Sequence, residues 1–424
     1  LVLYLATFVI CFESDRWYRP AVWMPIALVL TAACAYSLWD GTSWATPGDG
    51  SSLPAAIAMF SAGVFVQCVV LHGELARRRP GRSHLTRFYL MMSLGGAVGG
   101  ALVSLVAPRV LPAYWELAIG YVLLAAVVCG LLWRRPGAAF AAGAVGVACA
   151  LFGLLQVRDD LRGARVLDRN FYGTLSTADL AVDRPDEAFR RLFHGSVIHG
   201  EQFLSETLRA EPTTYYGRTS GLGRAIEATR REGQHVGTIG LGAGVTATYG
   251  RAGDRHRFYE INPQVVDVAK TEFSFLSDSA AHIDTVLGDA RLVLERESPQ
   301  EFDVLAVDAF SGDSVPVHLI TREAMQVYLR HLRDDGIVAF HVTNKHLLLS
   351  PVVQRIAQDA GLAAVLVHDP AAGSDLRVTD WVLVARRAEV LQRSPIREAV
   401  VPFPAMPGLK VWTDDFNNLF DVLR

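Results

Sequence analysis

The stretch VGTIGLGAGVTATYGRAGDRHRFYEINP, Val236–Pro263, decides the reading of the fold. A run of small and β-branched apolar residues ends in Gly240, Gly242 and Gly244, and a second apolar run ends in Glu260. That is the pattern of a buried strand breaking into a tight turn, followed by a second strand beside it. Glycine lets the backbone turn sharply and approach a ligand closely. Glu260 follows Gly242 by 18 residues, about the spacing at which an acid accepts hydrogen bonds from ribose hydroxyls.

Toward the C-terminus the same alternation continues. IDTVLGD, FDVLAVD, GIVAFHVTN, LAAVLVHD and DWVLVARR read as strands, and PQVVDVAKTEF, TREAMQVYLRHL and PVVQRIAQDA as helices. Alternating strands and helices imply a parallel sheet with helices on both faces, a Rossmann-like α/β domain over 235–424. Ligands of such sheets bind outside the carboxyl ends of the strands. There the third strand ends in Asp289, within LGDAR, and the fourth in Asp308, within VDAFSGDSVP. A capping or turn role accounts for any one of the three acids, but three at successive strand ends point to a ligand. No GxxxxGK[ST] is present, and Val245 stands at the last position of GxGxxG. Without a phosphate grip the expected ligand is a nucleoside lacking phosphates, such as S-adenosylmethionine or a relative.

Toward the N-terminus, residues 163–212 carry short β-like runs separated by Gly and polar breaks, so 158–234 reads as a small domain of hairpins. The first 157 residues hold most of the apolar excess of a chain that is 51% apolar. Segments near 21–39, 53–72, 88–107, 114–133 and 138–157 approach the ~20 residues needed to cross a bilayer. Residues 1–12 are apolar but short and begin on Leu1, as expected for a chain cut inside an earlier helix. The basic loop GELARRRPGRSHLTR is expected on the cytoplasmic side and DGTSWATPGDGSS, without Lys or Arg, on the other. Three further crossings conflict with the basic WRRP and RDDLRGAR, and the Ala/Gly-rich 138–157 is the segment expected to be tilted, re-entrant or interfacial. GGAVGG, Gly95–Gly100, suits close helix packing in lipid. The net charge of −3 gives no sign of a nucleic-acid partner. The five cysteines all lie in the apolar half, unpaired as CxxC, and argue against disulfides or a cysteine metal site. His194 and His199, five apart in HGSVIHG, fall on opposite faces of a strand, so no metal is expected. His341 and His346 flank a strand end, where one of them faces the ligand crevice.

IGLGAG, YEINP, LGDAR and FDVLAVDAFSGDSVP, in this order, resemble the polyamine aminopropyltransferases, the spermidine synthases. RNFYGTL, HGSVIHGEQ, TTYYG, HVTNKHL and WTDDFNNLF are similar to a membrane-fused branch of that family. The resemblance covers roughly 165–424. It implies a small β-domain followed by a Rossmann-like, methyltransferase-type domain, with a multi-span helical membrane domain before both. It implies S-adenosylmethionine or its decarboxylated form as co-substrate, methylthioadenosine as product, a small-molecule acceptor such as a polyamine, and the inner membrane as location, catalytic domain in the cytoplasm. It also admits a homo-oligomer.

By position in the family pattern, Glu260 holds the ribose and Asp289, with Ala290, the adenine end; Gly240, Gly242 and Gly244 form the donor loop. Asp308 stands where the catalytic aspartate stands, followed by Ser311 and Asp313. Gln202 falls to the donor, and His199, Tyr215, Tyr216, Asp414 and Trp412 to the acceptor side. Asp414 and Asp415 equally suit a helix cap. Two positions depart from the soluble enzymes: Ala243 replaces an aspartate that holds the donor's propylamine nitrogen, and Ser311 replaces a second loop aspartate. Both changes remove anionic contacts that serve amines. Intact S-adenosylmethionine, a non-standard acceptor, or intramolecular release of homoserine lactone are therefore carried as alternatives. So are methyl transfer and a non-catalytic, ligand-sensing role governing a transporter.

Overall fold

The computed structural model describes residues 1–14, 16–40, 52–195, 197–309, 316–371 and 376–424, the side chains of Ser52 and Leu53 excepted. It divides into two compact units, Leu1–Arg162 and Gly163–Arg424. The division falls five residues beyond the composition boundary, because a helix starting at Pro136 runs on to Leu161. The hairpin and Rossmann-like segments lie together in the second unit.

Among the described residues of the first unit, four helices are long and apolar enough to cross a membrane: Pro20–Trp39, Pro54–Arg77, Arg82–Val110 and Pro136–Leu161. Pro136, at the first turn, starts a 26-residue apolar helix that covers the 138–157 segment expected to be tilted, re-entrant or interfacial. Glu116–Leu131, at 16 residues, is shorter than these four. Polar side chains inside the unit pair with one another, Gln67 donating to Thr31 at 3.1 Å and Thr7 lying 3.1 Å from His72 Nδ1. A Cβ on Gly95, Gly96, Gly99 or Gly100 would meet nothing within 4 Å, so the small-residue face finds no packing partner among the described residues.

The second unit opens with a four-stranded antiparallel sheet, β1 (Ala164–Asn170), β2 (Gly173–Leu180), β3 (Phe189–His194) and β4 (Val197–Phe203), paired in sequence order. Eight further strands form the main sheet: β5 (His235–Ile239), β6 (Arg255–Glu260), β7 (His282–Leu287), β8 (Phe302–Val307), β9 (Leu332–His341), β10 (Ala363–Asp369), β11 (Thr379–Ala385) and β12 (Val400–Val401). Their spatial order is β12-β10-β11-β9-β8-β5-β6-β7. β5 to β9 run parallel, and β11 is antiparallel to both β9 and β10. This is the Rossmann-like, methyltransferase-type order, with its reversed strand next to the edge of the parallel block. The chain reverses direction across the sheet between β5 and β8, and ligands of open α/β sheets bind at such a switch point.

The helices start where their caps dictate. Asn262 accepts from Gln264 N before Pro263–Thr271, Asp289 from Leu292 N before Ala290–Arg296, and Thr321 from Ala324 N before Arg322–Arg330. Every residue of β8 is buried, and Phe302 and Leu305 pack into a core on one face while Val304 and Ala306 pack into a core on the other. Burial on both faces is why VLAV, after Asp303, reads as a continuous apolar run rather than an alternating one.

Candidate active site

Three strand ends converge. Gly240 N donates to Tyr259 O at 2.8 Å and Asp308 N to Ile239 O at 2.9 Å, tying the ends of β6, β5 and β8 together. Gly240 has φ +94°, and a Cβ there would stand 2.4 Å from Asp308 O. Gly242, at φ +54°, would place a Cβ 2.6 Å from His199 O. Both glycines are required by close backbone approach, the first to the β8 end and the second to β4. Gly244 packs under Leu276 and borders neither of the cavities below.

Two cavities meet here. The first is bordered by Gly240, Gly242, Glu260, Asp289 and Ala290, with apolar walls from Leu175, Leu192 and Leu319. The second is bordered by Tyr215, Tyr216, His341, Thr343, Asp380 and Lys345. Asp308, His199, Gly240 and Gly242 border both.

Asp308 is held from two sides. Tyr216 Oη donates to Oδ2 at 2.5 Å, and His341 Nδ1 lies 2.7 Å from Oδ1. Only 7% of the carboxylate side chain and 6% of the imidazole are exposed. Burial, reinforced by the Asp308 charge, pushes the Tyr216 phenol well above its ordinary value, so it remains a donor. Burial lowers His199 to about 4, helped by His194 and opposed by Asp308, so its ring is neutral at physiological pH. His199 Nε2 is buried without a hydrogen-bond partner among the described residues.

Glu260 is 8% exposed, with Oε2 accepting from Leu241 N at 3.0 Å and Oε1 from Asn262 N at 2.8 Å. Burial raises its pKa and these backbone donors work against that rise. Asp289 caps its helix through Oδ1 and meets His318 Nε2 at 2.9 Å through Oδ2. The His318 contact had no sequence signal, since the two residues lie 29 positions apart.

Several expected ligand contacts fall elsewhere. Gln202 is spent on structure: its Nε2 donates to Arg209 O and Ser274 Oγ, its Oε1 accepts from Ser274 N, and it borders neither cavity. Trp412 is 1% exposed within the apolar core. Asp414 accepts both Arg291 Nη1 and Nη2, at 2.7 and 2.6 Å, plus Thr321 Oγ1 at 2.9 Å, and borders neither of the two cavities. Ser311 and Asp313 lie outside the described residues. Ala243, where the resemblance leads one to expect an aspartate, is 1% exposed; its N donates to His199 O at 3.1 Å, and a Cβ on Gly200 would stand 2.5 Å from its own. Strand β4 therefore closes over position 243, and neither cavity reaches it.

No family model matches the chain. Among curated proteins it is similar to a polyamine aminopropyltransferase from Vibrio vulnificus, 33% identical over 81 residues, which are 19% of this chain and 26% of that protein. Over that stretch the chain resembles a polyamine aminopropyltransferase. The matched stretch spans about a quarter of that relative's length. Among solved structures it is similar to a probable spermidine synthase from Corynebacterium glutamicum, at 17% identity and TM-score 0.40 over 51% of this chain and 77% of that one. It is also similar to spermidine synthase from Thermotoga maritima, at 11% identity and TM-score 0.39 over 59% and 81% of the two chains.

Proposed function

We propose that residues 163–424 form an alkyl transferase that takes a carbon group from an adenosylated sulfonium donor, with Asp308 as the proton acceptor. The observation that carries this reading is the position of Asp308, a buried carboxylate at the wall shared by two cavities. The donor is assigned to the first cavity, where Asp289 and Ala290 border the nucleobase end and Glu260 the ribose end. The acceptor is assigned to the second, where Tyr215 and Tyr216 supply aromatic walls. An amine attacks the carbon beside sulfur, an N–C bond forms, the C–S bond breaks, and its electron pair stays on sulfur. Methylthioadenosine leaves as a neutral thioether, and the proton shed by the nitrogen passes to Asp308. Because the leaving group needs no acid, most of the acceleration comes from alignment of the two substrates.

The name of the curated relative makes aminopropyl transfer to a polyamine, from decarboxylated S-adenosylmethionine, the first activity to assay. The covering of Ala243 by β4 favours a second reading in which the donor is intact S-adenosylmethionine. Its own carboxylate then attacks the γ-carbon, giving methylthioadenosine and homoserine lactone. The apolar helices of the first unit support placement of the enzyme at a bilayer, with the basic segment Gly73–Arg87 on the cytoplasmic side.

Incubation with each donor, with and without putrescine, followed by mass spectrometry of the products, tests these assignments. Amine-dependent methylthioadenosine from the decarboxylated donor supports aminopropyl transfer, and amine-independent methylthioadenosine from the intact donor supports the cyclisation. S-adenosylhomocysteine as the only nucleoside product overturns both.

A further inference from the structure

We propose that His341 is the positioning residue that fixes the plane and charge of the Asp308 carboxylate, an assignment that rests on the transferase reading above. An ionised carboxylate only accepts hydrogen bonds, so the 2.7 Å contact puts the ring hydrogen on Nδ1. The other nitrogen, Nε2, lies 3.1 Å from Thr379 Oγ1 and in the neutral ring accepts from that hydroxyl. Thr379 is in turn 3.1 Å from Thr343 Oγ1, whose oxygen accepts from Asp380 N at 2.8 Å. The imidazole stacks on Trp381 with ring centroids 4.7 Å apart and planes 17° apart. The carboxylate follows the end of β8, the imidazole ends β9, and the hydroxyl and indole come from β11.

In the neutral ring this arrangement favours one tautomer and one orientation. With Nδ1–H on Oδ1 and Tyr216 Oη on Oδ2, the carboxylate is pinned at both oxygens. Asp308 borders both cavities. Among the described residues, the other titratable groups around Asp308 and His341 are Tyr216, Tyr215 and His199, with Asp380, Lys345 and Arg424 on the border of the second cavity.

Two substitutions separate hydrogen bonding from packing. His341→Phe keeps a flat ring on Trp381 but removes both nitrogens, whereas His341→Gln breaks the stack but keeps an N–H donor. If His341 positions the carboxylate, His341→Phe lowers kcat on the order of 100-fold, the scale expected for a misplaced reacting group, and leaves the donor KM unchanged. His341→Gln retains more activity than His341→Phe. Equal or higher kcat in His341→Phe than in His341→Gln overturns the assignment. Full turnover in Asp308→Asn instead overturns the transferase reading. Nitrogen NMR of the histidine-labelled protein gives a readout independent of turnover: the Nδ1–H tautomer at His341 is expected, and an Nε2–H tautomer sinks the proposal.

Discussion

Replacing Asp308 with Asn removes the proton acceptor and changes almost nothing else. The side chain keeps its volume, and its amide oxygen still accepts from the Tyr216 hydroxyl on one side. The new amide nitrogen faces His341 Nδ1, which becomes an acceptor once the ring moves its hydrogen to Nε2 and donates to Thr379. No buried donor is stranded, so the change in folding free energy stays within about 1 kcal/mol. The chemical step loses its base, and positioned general bases contribute roughly 100- to 10,000-fold, or about 3–5 kcal/mol of barrier. The assay is methylthioadenosine release by the solubilised full chain, paired with calorimetric binding of methylthioadenosine to the same samples. We expect kcat to fall by at least about 100-fold while the nucleoside affinity holds within about twofold. A kcat within about threefold of the parent, with binding intact, refutes the role given to Asp308.

Further outcomes follow from the same geometry. His199 and His256 are both lowered to about 4 by burial, so the folded state binds fewer protons than the unfolded state between about pH 4 and 6.5. Their stability contribution is full above that window and is lost as pH falls through it; each costs about 2 kcal/mol between pH 7 and pH 5. His256→Leu, at a ring whose two nitrogens have no hydrogen-bond partner among the described residues, should weaken that acid sensitivity in denaturation midpoints, and an unchanged pH 7 to pH 5 difference contradicts it. Asp289→Ala should cost about 1 kcal/mol of stability as a lost helix cap. It should also weaken methylthioadenosine binding by calorimetry, and unchanged binding removes Asp289 from the donor site. Ala243→Asp should destabilise by about 3 kcal/mol or more, because the carboxylate is buried without a partner, and should add no polyamine turnover. A variant that melts with the parent argues that β4 does not close over that position.

The parts legible in the sequence are those written in local pattern. The alternation of strands with capped helices, the glycine turn after β5 and the acids Glu260, Asp289 and Asp308 at strand ends need only nearest-neighbour chemistry. Contacts set by sheet order were not legible. His341 meets Asp308 because β9 lies beside β8, and Thr379 meets His341 because β11 lies beside β9. The sequence placed His341 at a strand end but gave no hint of its partner. Gln202 has a side chain suited to a ligand, yet its hydrogen bonds go to Arg209 and Ser274. Trp412 was expected as an aromatic wall, yet the C-terminal segment folds onto the helix start, Arg322 N donating to Trp412 O at 3.0 Å, and carries the indole into the core. Apolar length alone also failed to separate Glu116–Leu131 from the longer helices, because its flanks are equally apolar.

The contact between Gly200 and Ala243 bears on how such a site can be altered. Gly200 has φ +137°, a region that L side chains rarely adopt, and its Cα faces Ala243 closely enough that neither residue can grow alone. The two positions are therefore coupled: an acid at 243 is excluded while β4 stays where it is, and a side chain at 200 is excluded while Ala243 stays where it is. Neither position can be enlarged by a single substitution without moving the strand, so an engineer who wants a charged group at 243 must move β4 first.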